Sequence, residues 1–139
     1  MAPKFHTSRL TEEAQLQISI VQYLHAVLPA AAAATLIHVV NEGKRNVNTG
    51  RILKRMGMKA GVEDLQFIWK GRLCAIEVKP EGGYLRPVQR ERRDAVWAAG
   101  GFYAVCRDTD DVRDTLAEWD VPTRETLMVR ATGEPGRRR

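Results

Sequence analysis

Apolar and polar residues recur with two different periods along this 139-residue chain. The first period is helical. Leu16, Ile20, Leu24 and Val27, with Val21 and Leu28 beside them, predict an amphipathic helix running to about Leu28. Thr11 followed by Glu12 and Glu13 supplies its start, because a threonine caps free amides and acids in a first turn are favoured by the helix dipole. Pro29 ends it. After an alanine linker, Leu36 to Val40 reads as a buried strand. Asn41 to Val62 has no strand alternation and is too long for an idle connection, with a short helix predicted over Ile52 to Met56.

Period-two alternation follows. Leu65, Phe67 and Trp69 form one run and Cys74, Ile76 and Val78 the next, which predicts two half-buried strands. Lys70-Gly71 between them predicts a tight hairpin, though it is a weaker turn former than Asn-Gly. A break at Pro80 to Gly83 leads to a second helix over Pro87 to Ala99, with its proline in the first turn. On that helix Arg86, Gln89, Arg90, Arg93 and Trp97 share one face, leaving Val88, Ala95 and Ala99 to pack. Phe102 to Cys106 predicts a further buried strand and Asp110 to Trp119 a last helix, with Val112, Leu116 and Trp119 inward. The order is α-β-β-β-α-β. One α/β (α+β) domain is expected over residues 11–120, with a tail at 1–10 and an extension at 121–139 that ends in GEPGRRR.

The hairpin carries the candidate chemistry. Pairing about Lys70-Gly71 sets Asp64 directly opposite Glu77, with Lys79 on the same face two residues on. Opposed side chains have Cβ atoms about 4.5–5.5 Å apart, and like charges so placed repel. A divalent cation would draw them together. Two carboxylates suit Mg²⁺, with Mn²⁺ as a substitute, since both ions prefer oxygen ligands. The Val78 carbonyl beside Glu77 is a candidate further ligand, and Lys79 can orient or deprotonate a water or screen developing charge. Glu-x-Lys alone is a common salt-bridge pattern. The opposed aspartate, the basic flanks and the element order give it weight. Glu63 is expected on the other side of the strand from Asp64 unless a bulge turns it inward, and it is not counted as a ligand.

Charge extends the picture. From Lys44 to Val62 the chain carries Lys44, Arg45, Arg51, Lys54, Arg55 and Lys59 and no acid, a pattern suited to tracking phosphates. Arg86, Arg90 and Arg93 could likewise hold a phosphate backbone; a plain solvated face is the competing reading for both groups. A net charge of +5 and a pI of about 9.6 favour a polyanionic partner. Cys74 and Cys106 read as core thiols in a reducing compartment, not as a disulfide framework or a zinc site. MAPKFHTSRL has no apolar leader core, and the apolar run from Pro29 to Val40 is too short to span a bilayer. A cytoplasmic protein is expected.

The segment from Asn41 to Gln89 resembles the VRR-NUC family of the PD-(D/E)XK nuclease superfamily, especially its small standalone members from phages and bacteria. The matching stretches are NEGKR (Asn41 to Arg45), MGMKAGVEDLQF (Met56 to Phe67), IEVKPEGGYLRPVQ (Ile76 to Gln89) and the strand opening at Gly101. With the first and last helices included, the likeness covers about residues 11 to 119. It implies a restriction-endonuclease-like fold, a mixed sheet flanked by helices, and a Mg²⁺-dependent phosphodiesterase. Asp64 and Glu77 match the family's metal ligands, Lys79 its catalytic lysine and Gln89 its post-strand glutamine. An acid of the first helix often assists the metal in such folds, and Glu13 is the candidate here. Asn41 and Glu42 match a family pair near the site.

Two positions depart from the pattern. Glu63 stands where a proline usually precedes the aspartate, and Arg86 where a serine usually precedes Pro-x-x-Gln. Proline stiffens the strand but ligates nothing, so activity should survive; Arg86 puts a local hydrogen bond in doubt and offers a phosphate contact. The resemblance further implies a DNA endonuclease acting on branched DNA, as Holliday-junction resolvases do, in the form of a homodimer. The alternatives are a flap, nick or restriction-type nuclease on the same fold, or a nucleic-acid-binding module without chemistry.

Overall fold

The computed structural model describes residues 10–40 and 47–125. Its centre is a four-stranded sheet in the order β1-β2-β3-β4, formed by Ile37–His38, Leu65–Trp69, Arg72–Val78 and Phe102–Cys106. β1 and β2 pair antiparallel, β2 and β3 antiparallel, and β3 and β4 parallel. The parallel pair needs a crossover, and α4 (Pro87–Ala98) provides it. The other helices are α1 (Glu12–Val27), α2 (Ala30–Ala33), α3 (Val47–Arg55) and α5 (Thr109–Glu118). None of the described helices is long and apolar enough to cross a membrane.

The expected helix start is present: the Thr11 hydroxyl accepts from Ala14 N at 3.1 Å. The β2–β3 turn has Lys70 at φ 49° and Gly71 at φ 74°, the pair of positive values that matches the twist of a two-residue hairpin. Leu65 pairs with Ile76 and Trp69 with Arg72, the register expected from the sequence. The two faces of the sheet differ. Leu65, Phe67, Cys74, Ile76, Val78 and Cys106 are buried against Ile20, Leu24 and Val27 of α1 and Val112 and Leu116 of α5. Phe102 stacks on Trp119 with centroids 5.3 Å apart, closing one edge of that core. The opposite face has a small apolar cluster of Ala75, Val96 and Tyr103, with the partly buried Leu73, Leu85 and Val105 packed against it.

Several expectations are corrected. The alanine linker is helical over Ala30–Ala33, consistent with alanine's high helix propensity. Leu36 to Val40 is not a buried strand. Only Ile37–His38 pairs, at the sheet edge, and Ile37 and Val40 are 54% and 68% exposed. The helix predicted over Ile52 to Met56 spans Val47–Arg55 and has no buried residue. On α4 the inward face is not Val88, Ala95 and Ala99 but Gln89 and Val96, with Arg92 and Arg93 half-buried. Both cysteines are buried and free.

Candidate functional site

The hydrogen-bond ladder of β2 and β3 ends at Leu65 and Ile76, so the next opposed pair is Asp64 and Glu77. Asp64 is fixed from both sides. Its carbonyl accepts from Val39 N at 2.9 Å and from His38 Nδ1 at 2.8 Å, and the Gln17 carboxamide lies 2.9 Å from the same ring nitrogen. The carbonyl can only accept, so Nδ1 carries the proton in that contact. Across the hairpin, Val78 N donates to Asp64 Oδ2 at 2.8 Å, so a side-chain oxygen takes the place of the next backbone acceptor. Lys79 N donates to Cys106 O at 3.1 Å, and a trans peptide therefore turns the Val78 carbonyl the opposite way, towards Asp64.

Glu77 lies beside Asp64, buried to 2% exposure, and its Oε2 has no hydrogen-bond partner. Burial, and then the neighbouring Asp64 carboxyl, push the Glu77 carboxyl up to about 9, a rise that Glu13 reinforces and Lys79 opposes. The charge of the half-buried Lys79 offsets only part of that rise. A turn closed by Gly83 N to Pro80 O (3.0 Å) holds the chain after Lys79, and Arg107 Nη1 donates to the same carbonyl at 2.8 Å. A cleft of about 380 Å³ opens beside Asp64, lined also by Thr11, Glu13, Gln17 and His38.

The donors suit a hard divalent ion. Two carboxylates and a strand-end carbonyl offer only oxygen, and the buried Glu77 Oε2 lacks a partner that a cation would supply. Glu13 borders the same cleft, although no group of three or more His, Cys, Asp or Glu in metal-holding range occurs among the described residues.

Gln89 is buried at 5%, and its Oε1 accepts from Arg86 N at 2.8 Å, the glutamine half of a capping box at the start of α4. Arginine has no acceptor, so the reciprocal half is missing. Gln89 is therefore turned inward instead of lying on an outer basic stripe. Arg93 lies 4.8 Å over the half-exposed Trp97 ring, and Arg90 Nη1 donates to Leu85 O at 2.8 Å. Arg51, Lys54, Arg55 and Lys59 are exposed on and after α3. Asn41, Glu42, Lys44 and Arg45 lie outside the described residues.

Glu63 departs from its expected placement. It is fully buried and bonded to Arg92 Nε (3.0 Å) and Nη2 (3.1 Å) of α4 and to Gln66 Nε2 (2.7 Å), so the chain turns it onto the α4 side. Burial works to raise its carboxyl, but the Arg92 guanidinium overrides this and holds it below the usual carboxylate value. Gly61 permits the turn. A Cβ there would lie 2.6 Å from Val88 O, and its φ is +74°, so the loop lies directly on the first turn of α4. Sequence reasoning missed Arg92, Gly61, His38 and Gln17. Only the ERRD run from Glu91 to Asp94 hints at Arg92, and nothing in the sequence ties it to Glu63.

No family model matches the sequence, and no curated protein does. A solved structure described as a "VRR_NUC domain protein" superposes with a TM-score of 0.63 at 22% identity, covering 80% of this chain and 89% of that one. The likeness establishes the fold: a mixed four-stranded sheet with flanking helices, of the restriction-endonuclease-like kind expected from the sequence.

Proposed function

We propose that the chain is a metal-dependent nuclease of the VRR-NUC type that hydrolyses phosphodiester bonds in DNA. One observation carries the reading: a buried glutamate and an opposed aspartate share the end of a hairpin, with one carboxylate oxygen left unpartnered. Asp64, Glu77 and the Val78 carbonyl would hold Mg²⁺ or Mn²⁺, with Glu13 as the candidate assisting acid. The bound ion supplies positive charge and Lewis acidity at the phosphoryl group. Lys79 Nζ orients the attacking water, takes its proton or offsets charge on the phosphate. Gln89 sets the start of α4 beside the site. Arg51, Lys54, Arg55, Lys59, Arg86, Arg90 and Arg93 hold the DNA backbone, and Asn41, Lys44 and Arg45, outside the described residues, are candidates for the same task.

The preferred substrate is a branched DNA such as a four-way junction. The described residues contain one opposed carboxylate pair, so symmetric cutting of two strands would require a homodimer. The test is incubation of labelled four-way junction, flap and plain duplex with Mg²⁺, Mn²⁺ or EDTA. Metal-dependent cleavage, abolished in Glu77→Ala and strongest on the junction, is the expected result. Cleavage unchanged in Glu77→Ala would refute the site, and a DNA shift without cutting would replace the enzyme by a binding module.

A further inference from the structure

Among the described residues Tyr23 Oη, Glu77 Oε2 and Tyr103 Oη are buried without a hydrogen-bond partner. Tyr23 lies apart from the site, on α1 near Arg113 and Glu125. The other two share a surface. Tyr103 pairs with Ala75 and Val105 with Glu77 in the parallel ladder, so Tyr103 and Glu77 project from the α4 face of adjacent strands, one diagonal step apart. A diagonal step is about 7–8 Å between backbones, within reach of a tyrosine side chain.

The other acids near the phenol are already committed. Glu63 accepts twice from Arg92 and once from Gln66, and Asp64 Oδ2 accepts from Val78 N. The charges acting on the Tyr103 hydroxyl are, in order, Glu77, Glu63, Asp64 and Arg93. A buried hydroxyl with no partner is costly, and so is a buried carboxylate oxygen with none. Each is the natural partner of the other: one donates and the other accepts.

We infer that Tyr103 is a positioning residue, whose hydroxyl donates to the Glu77 carboxylate, directly or through one water, and fixes its orientation when an ion is held. The inference rests on the metal-dependent reading above. Groups that orient a metal ligand in this way typically alter affinity about 10–100-fold when removed.

The test is Mn²⁺ titration by calorimetry of wild type, Tyr103→Phe, Glu77→Gln and Leu73→Ala, beside thermal midpoints of the metal-free proteins. Tyr103→Phe deletes only the hydroxyl and keeps the ring that packs with Val96. Expected is Mn²⁺ binding weakened at least about tenfold, with a metal-free midpoint equal to or above wild type. Leu73→Ala, an apolar cut on the same face away from Glu77, should lower the midpoint and leave Mn²⁺ affinity unchanged. Wild-type Mn²⁺ affinity in Tyr103→Phe, with binding lost in Glu77→Gln, overturns the role of Tyr103 and leaves the metal site standing. A lowered metal-free midpoint in Tyr103→Phe overturns it too, since the hydroxyl would then be bonded without the ion. Absence of Glu77-dependent binding in wild type removes both the inference and the nuclease reading.

Discussion

Replacing Glu77 by glutamine should make the metal-free protein more stable at alkaline pH, not less. The folded-state carboxyl is raised to about 9 from an ordinary 4.5, by burial first and by Asp64 second. A raised carboxyl contributes stability that is fully present below the unfolded value and is lost as pH climbs through the folded one. Between 4.5 and 9 the unfolded chain releases a proton that the folded chain keeps, at about 1.4 kcal/mol per pH unit. By pH 7 the cost is on the order of 3 kcal/mol, or roughly 10 °C in midpoint for a chain of this size. Glutamine keeps the shape and has no proton to lose. Thermal melts from pH 5 to 8.5 in EDTA should therefore show wild type falling away from Glu77→Gln as pH rises, with the two close together near pH 5. Mn²⁺ at a hundred times its dissociation constant should restore about 2.7 kcal/mol to wild type and nothing to the variant. Parallel pH profiles, or a variant less stable than wild type at pH 8 without metal, would show that Glu77 is already satisfied by the protein and that the site needs no ion.

Lys79→Met keeps the aliphatic stem and removes the charge, so cleavage should fall at least about a hundredfold while Mn²⁺ affinity stays within tenfold; unchanged cleavage would dismiss the lysine. Arg92→Met leaves the fully buried Glu63 without its guanidinium and should cost about 3 kcal/mol in urea unfolding. Because Glu63 is held below its usual value, its contribution is present above about 4.5 and disappears as acid protonates the folded state, so the penalty should shrink towards pH 3. Gly61→Ala forces a Cβ to 2.6 Å from Val88 O at positive φ and should cost on the order of 2–4 kcal/mol, with Asp64 displaced. Changing Arg51, Lys54 and Arg55 to alanine should leave the melting curve intact, because α3 buries nothing, and should reduce the salt slope of DNA binding by about 0.9 for each phosphate left unneutralised.

Local rules give most of the core. Thr11, the β2–β3 alternation and the Lys70-Gly71 turn depend on neighbours in sequence, and fixing the hairpin register brings Asp64 opposite Glu77 without any tertiary information. What periodicity cannot supply is the partner of each surface. Leu36 to Val40 is apolar enough for a central strand, yet only the chain's later pairing shows that it is an exposed edge. The α4 face departs from expectation for a related reason. Counting polar residues as outward places Gln89 with the arginines, whereas Gln89 faces inward because Arg86 N is there to bond it, and Arg92 half-buries because Glu63 is there to pair with it. The Arg86–Gln89 contact is local to the start of the helix, whereas the Glu63–Arg92 pair spans 29 residues and is visible only in three dimensions, reached through the irregular segment that Gly61 allows.

The two buried glutamates on the α4 side show why the polar layer reads as a site and not as a flaw in the core. Glu63 and Glu77 are both withdrawn from water, and burial acts to raise both. At Glu63 the chain answers with a guanidinium held on two oxygens and with an amide, and the carboxyl ends below its usual value. That arrangement gives both oxygens partners and sets a positive charge beside them, so a cation has little to add there. At Glu77 the chain answers with a second carboxylate and with a lysine whose charge offsets only part of the penalty, and one oxygen stays open. A layer able to satisfy one glutamate so fully, and leaving its neighbour uncompensated beside Asp64, concentrates its electrostatic cost at a single point. A cation from solution lowers that cost most where the protein's own cations offset it least, and it does so at the end of the hairpin, where Asp64 borders a cleft.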